Sequence, residues 1–125
     1  PTRFIIDSNL TINPNSKIIN DKQPLYILNS LKSEVKGEIN YIKFNPDNSI
    51  NDILQIMYEL SIQSVIIEGG ASTINYFIEQ NTWDEARVLT GNNYFTNGIK
   101  APKLPVEPTC STMFGEDEIT IFKNL

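Results

Sequence analysis

The hydrophobic period changes twice between residues 49 and 80, and nothing else in the chain constrains the fold as tightly. Ile50, Ile53, Leu54, Met57 and Leu60 recur at helical spacing, with Asn51, Gln55 and Glu59 on the opposite face. Ser49, with Asp52 three residues on, reads as a capping box that starts this helix. Ser64-Val65-Ile66-Ile67 then runs without alternation, the pattern of a strand covered on both faces. Glu68-Gly69-Gly70 turns the chain, and Ala71, Ile74, Phe77 and Ile78 face inward on a second helix from 71 to about 80. A strand at 39–44 precedes this unit and another at 85–89 follows it. The order strand, helix, strand, helix, strand with short links predicts a parallel sheet covered by helices.

The flanking segments extend the same design. Arg3-Phe4-Ile5-Ile6 is a strand that ends at the turn formers Asp7-Ser8-Asn9. Lys17-Ile18-Ile19 reads as a brief extended piece, 25–28 as a strand, and 30–38 as a connector with room for a short helix. Residues 91–108 are rich in Asn, Gly and Pro and read as loop. Segments 109–114 and 118–122 flank Gly115-Glu116-Asp117, a hairpin signature. The expected fold is α/β in one domain, residues 1–125, with a mainly parallel central sheet and an antiparallel C-terminal hairpin joining one edge.

Composition narrows the function classes. At 125 residues and 40% apolar, the chain can bury roughly two-thirds of its unfolded surface without a disulfide staple. Cys110 is the only cysteine, so no internal disulfide is available. The net charge is -5 with no Lys/Arg cluster, which argues against a nucleic-acid partner. No apolar run approaches the ~20 residues of a membrane span, and no signal peptide precedes the first strand. These readings point to a cytoplasmic protein. The chain opens on Pro1 and enters a strand almost at once, which reads as a piece excised from a longer protein.

The 68–73 turn is the most function-like segment. The first amides of a helix have no partner within it, and the helix dipole favours an anion there. Glycines let a ligand approach the backbone, and the hydroxyls of Ser72 and Thr73 add donors. Glu68 closes a strand at the sheet end where open α/β sheets bind ligands. A plainer reading stands beside this one: Gly69-Gly70 as a tight turn and Ser72 as a helix cap. The dinucleotide fingerprint G-x-G-x-x-G is absent.

Other residues read more simply as structural. Cys110 has no histidine near it and reads as a buried or half-buried thiol. Asp47 and Asp52 serve a turn and a cap, and Glu116-Asp117-Glu118 a solvated hairpin, so no metal is expected. Trp83 reads as half-buried at a helix exit. Arg87 and Lys100 are candidates for phosphate contacts, with an ion pair an equal explanation for Arg87. Tyr94-Phe95 reads equally as a lid or an interface patch.

Taken together, 64–73 and Trp83-Asp84-Glu85-Ala86 resemble the C-terminal reductase domain of bacterial riboflavin-biosynthesis proteins. In that family a strand ends in Glu-Gly-Gly, a helix follows, and an Asp-Glu pair leads into the next strand. Phe4-Ile5-Ile6-Asp7-Ser8 resembles the family's strand ending in Asp-Ser. Gly98-Ile99-Lys100-Ala101-Pro102 resembles its glycine-containing loop. The resemblance spans essentially the whole chain. It implies a dihydrofolate-reductase-like, three-layer α/β fold that binds NADPH. The implied reaction reduces the ribosyl group of 5-amino-6-(5-phosphoribosylamino)uracil to the ribityl form. On this chain it implies that Gly69, Gly70, Ser72 and Thr73 lie against the cofactor phosphates. Glu68 would face the substrate and nicotinamide as the catalytic, orienting residue, and Asp7 and Ser8 would lie on the cofactor side.

The resemblance also marks departures. Family members have a further N-terminal segment before the position of Arg3, so the chain reads as the C-terminal portion of a reductase domain. Many carry an upstream zinc deaminase, which this chain cannot build with no histidine and one cysteine. Ala71-Ser72 stands where relatives place proline and threonine. Two rivals remain: a pterin or other pyrimidine reductase differing in its base pocket, and a catalytically silent scaffold or dimerisation module. Cofactor binding separates the last from the others. An edge left open by the absent segment leads to the expectation of a homodimer.

Overall fold

The computed structural model describes all of residues 1–125. The chain divides into two compact units, Pro1–Ser64 and Val65–Leu125. The first unit contains β1 (Arg3–Ile6), α1 (Lys17–Asn20), β2 (Leu25–Asn29), β3 (Glu34–Lys36), β4 (Ile39–Lys43) and α2 (Ser49–Glu59). Its sheet order is β1-β2-β4-β3. β1 and β4 both pair parallel to β2, with Ile5 opposite Ile27 and Ile27 opposite Tyr41. Leu25, Ile27, Leu28 and Phe44 from the sheet and Ile50, Ile53 and Met57 from α2 are buried. The helical stripe read from the sequence thus supplies nearly half of this core.

Two local expectations change in this unit. Residues 17–20 form one helical turn rather than an extended piece. The 30–38 connector contains β3, which folds back antiparallel on β4. Gly37, at φ +59, is the first of two turn residues between Lys36 and Ile39. That backbone region carries no steric penalty for glycine, and a two-residue loop of this kind makes a hairpin.

The second unit contains α3 (Ala71–Glu79), β5 (Glu85–Thr90), β6 (Cys110–Phe114) and β7 (Asp117–Lys123). β7 lies between β5 and β6 and pairs antiparallel to both. Gly115, at φ +65, starts the tight turn between Phe114 and Asp117, where the sequence places the hairpin. The hairpin joins β5 in a separate three-stranded sheet rather than extending the parallel one. β5 is therefore antiparallel to its neighbour, not the last strand of a parallel run. Segment 64–67 differs too: it has no ladder partner and forms no strand, and Ile66 is 85% exposed. A strand is defined by its neighbour, and this segment has none within the chain.

Candidate functional site

Parallel pairing of β1, β2 and β4 brings their carboxyl ends to one edge of the first unit. Asp7 continues β1 by donating its amide to the Leu28 carbonyl at 2.9 Å. Its carboxylate then serves its own loop. Oδ1 accepts from the Thr11 amide at 2.9 Å and the Thr11 hydroxyl at 3.0 Å, and Oδ2 accepts from the Ile12 amide at 2.8 Å. Burial pushes the Asp7 carboxyl up, but these bonds and that of the Leu10 amide outweigh it and hold it below the usual range. Ser8 presents its carbonyl to the amide of Ser30 at 3.0 Å and to the Ser30 hydroxyl at 2.8 Å. The loop after β1 is therefore tied to the loop after β2.

Asn29 is the residue that sequence reasoning missed. It is fully buried, the one polar side chain so placed. Its Oδ1 accepts from the amides of Leu31 at 2.9 Å and Lys32 at 2.8 Å. Its Nδ2 donates to the carbonyls of Lys32 at 3.0 Å and Ile27 at 3.2 Å. A buried amide with every group paired holds the backbone around it. The available signal was a repeated pattern: Asp7-Ser8 ends β1, and Asn29-Ser30 ends β2 at the same edge.

The second unit carries the glycine turn. Gly70 occupies the cap position of α3 and, having no side chain, makes no cap hydrogen bond. Its carbonyl accepts from Thr73 at 3.0 Å and Ile74 at 3.2 Å, so the amides of Ala71 and Ser72 stand ahead of the helical ladder. Ser72 lies inside the helix and does not cap it, which removes the plainer reading of that hydroxyl. A Cβ at Gly69 would lie 3.2 Å from the Thr73 Cβ, whereas one at Gly70 would meet nothing within 4 Å. Gly69 thus allows a close helix start, and Gly70 faces open space. Glu68, Gly69, Gly70 and Ser72 are exposed and Thr73 is half-buried. Two amides ahead of the helical ladder, two hydroxyls and the open space at Gly70 fit an anionic group such as a cofactor phosphate.

The remaining candidates separate cleanly. Arg87 donates from Nε to Glu85 at 2.8 Å, the ion-pair alternative. Lys100 is exposed, and Trp83 is half-buried as expected. Cys110 is exposed, not buried, because nothing covers its face of β6. A cavity at the opposite, amino ends of β1 and β2 is lined by Thr2, Arg3, Pro24 and Tyr26. Its cation is already engaged, since Arg3 makes a bidentate pair with Asp21 at 2.6 and 3.0 Å. No group of three His, Cys, Asp or Glu side chains converges, and no helix is long and apolar enough to cross a membrane.

Comparison with known proteins gives a consistent result. The family model of the RibD C-terminal domain matches residues 1–92. The riboflavin biosynthesis protein RibD of Bacillus amyloliquefaciens is 30% identical over 118 residues, covering 83% of this chain and 30% of that protein. The structure superposes on a deaminase/reductase from Thermotoga maritima with a TM-score of 0.79 at 17% identity, over 98% of this chain and 37% of that one. It superposes on the riboflavin biosynthesis reductase Rib7 of Saccharomyces cerevisiae with a TM-score of 0.74 at 16% identity, over 98% of this chain and 69% of that one. The chain therefore spans about a third of the bacterial relatives' length. These structural likenesses establish the dihydrofolate-reductase-like α/β fold expected from the sequence.

Proposed function

The chain belongs to the RibD C-terminal domain family, and on that premise we propose that it is the C-terminal portion of a reductase domain in riboflavin biosynthesis. The reaction is NADPH-dependent reduction of 5-amino-6-(5-phosphoribosylamino)uracil to its ribitylamino form, carried out by the whole protein in the cytoplasm. The observation that carries this reading is the start of α3, where the Ala71 and Ser72 amides stand ahead of the helical ladder and Gly70 faces open space.

In this reading the first turn of α3 holds a cofactor phosphate. Ser72 and Thr73 add hydroxyl donors, and the two glycines allow close approach. The nicotinamide supplies the hydride when bound. Glu68 accepts hydrogen bonds from the substrate and orients it for transfer. Asp7 organises the loop that presents Ser8 on the cofactor side. The whole protein is a homodimer. That last step is supported by one face of this sheet, on which Leu89, Ile119, Ile121 and Cys110 stand together with Arg87 and Thr112, and Leu89 and Cys110 are exposed.

Gly70→Asp tests the phosphate site. The Gly70 backbone, at φ -57 and ψ 165, accepts any residue, and its Cβ would point into open space. Aspartate at a helix cap supports the helix, yet its charge repels a phosphate. Calorimetric titration with NADPH is expected to give binding by the parent chain and affinity weaker by roughly tenfold or more in the variant, with thermal stability kept. Equal affinity in the two would refute the phosphate site. Sedimentation of the parent as a monomer alone would refute the dimer.

A further inference from the structure

Asn97 is the one asparagine of the chain that precedes a glycine. The carboxamide carbon of an asparagine lies within reach of the next residue's backbone nitrogen, and attack there closes a cyclic imide. A side chain on that next residue hinders the approach, and glycine has none. Asparagines that precede serine, namely Asn15, Asn29 and Asn48, are the next least hindered, and the fold restrains each of them. Asn29 is fully buried, its Nδ2 donates to the Lys32 carbonyl at 3.0 Å, and the Ser30 amide that would attack it donates to the Ser8 carbonyl at 3.0 Å. Asn48 donates from Nδ2 to Asp52 at 3.1 Å. The Ser16 amide, which follows Asn15, is held by the Asn13 carbonyl at 2.9 Å.

Nothing comparable holds Asn97. Residues 91–109 connect β5 to β6 without regular structure, and 91–101 are exposed throughout. Neither the Asn97 carboxamide nor the Gly98 amide is hydrogen-bonded within the chain. The large apolar side chains on either side pack on nothing: Tyr94 is 99% exposed, Phe95 88% and Ile99 91%. A segment with so few contacts changes its backbone angles at little cost, so it can reach the geometry of attack without unfolding its neighbours.

We propose that Asn97-Gly98 is a site of spontaneous deamidation, with water as the co-reactant. The Gly98 nitrogen forms a bond to Asn97 Cγ, the Cγ–Nδ2 bond breaks, and ammonia leaves carrying the amide proton. Water then opens either carbonyl of the imide, which gives aspartate or isoaspartate at position 97. Water enters and ammonia leaves, with no oxidant or reductant. The product adds a carboxylate three residues from Lys100 and, as isoaspartate, a further carbon to the main chain of the loop. Attack requires a deprotonated backbone nitrogen, so the rate rises with pH. The reaction is independent of the phosphate site proposed above.

The chain is incubated in water enriched in heavy oxygen, at neutral pH and in mild alkali, and the tryptic peptide Val88–Lys100 is sequenced by tandem mass spectrometry. Gly98→Ala is the comparison, since a Cβ there would meet nothing within 4 Å and the Gly98 φ is not in the left-handed region. The parent is also incubated unfolded in guanidinium chloride. We expect heavy oxygen to enter position 97 roughly tenfold or more faster than any other asparagine, because the others await local opening. Gly98→Ala is expected to slow this about tenfold with its melting temperature kept. Unfolding is expected to change the rate at position 97 by no more than about twofold while that at Asn29 rises. Faster conversion at another asparagine of the folded chain, or equal rates in the parent and Gly98→Ala, overturns the site. A large acceleration at position 97 on unfolding overturns it too, since it would show that the fold restrains this loop.

Discussion

Asp7 illustrates how one side chain can be read as ligand-facing and prove to organise a loop. Its two oxygens take three bonds from Thr11 and Ile12, so its first consequence is for stability. Its carboxyl is held below the usual range in the folded chain, while the unfolded chain titrates near 3.9. The folded state therefore binds fewer protons, and the stabilisation is present above the unfolded value and lost as pH falls through the folded one. Asp7→Asn is expected to lose about 1 kcal/mol at pH 7, with the gap from the parent closing as pH falls below the unfolded value. Urea unfolding at several pH values checks this, and a gap independent of pH would contradict it. Asn29 was illegible for a related reason. An asparagine at a strand end reads as a turn former, and only the buried environment makes it the hub of five hydrogen bonds.

At the scale of elements, the helices were the most legible part. α2 and α3 match the periodic segments because their stripes at i, i+3 and i+4 are local properties of the chain. Their ends were less so. Ser49 is the first helical residue of α2, and the cap position falls to Asn48. Asp52 reaches back past it. Its Oδ2 accepts from the Asn45 amide at 2.8 Å, and its Oδ1 from Asn48 Nδ2 at 3.1 Å, because a 3-10 turn at Pro46–Asn48 precedes the helix. α2 stops with Ser61 at φ 58, the Ile62 amide on the Met57 carbonyl and the Ser61 amide on the Tyr58 carbonyl. This is a Schellman ending with serine where glycine is favoured. Ser61→Gly relieves the left-handed strain and is expected to raise stability by roughly 0.5–1 kcal/mol, read as a higher melting temperature. A lower melting temperature would mean that the serine hydroxyl outweighs the strain.

For the molecule as a whole, the two units differ in how much apolar surface they bury. Leu25, Ile27, Leu28, Phe44, Ile50, Ile53 and Met57 are buried in Pro1–Ser64, whereas Phe77 alone is buried in Val65–Leu125. Local opening follows buried apolar contact, so amides of β2 and β4 should exchange with deuterium at least roughly tenfold more slowly than those of β5, β6 and β7. Uniform exchange across both sheets would mean that the chain opens as one unit. Helical stripes, the hairpin around Gly115 and the glycine turn before α3 were determined by the sequence itself, since each depends on neighbours a few residues away. Strand partnership is a long-range choice that no local pattern encodes. The tertiary structure alone therefore decided that β5 joins β7 antiparallel in its own sheet and that 64–67 stays unpaired.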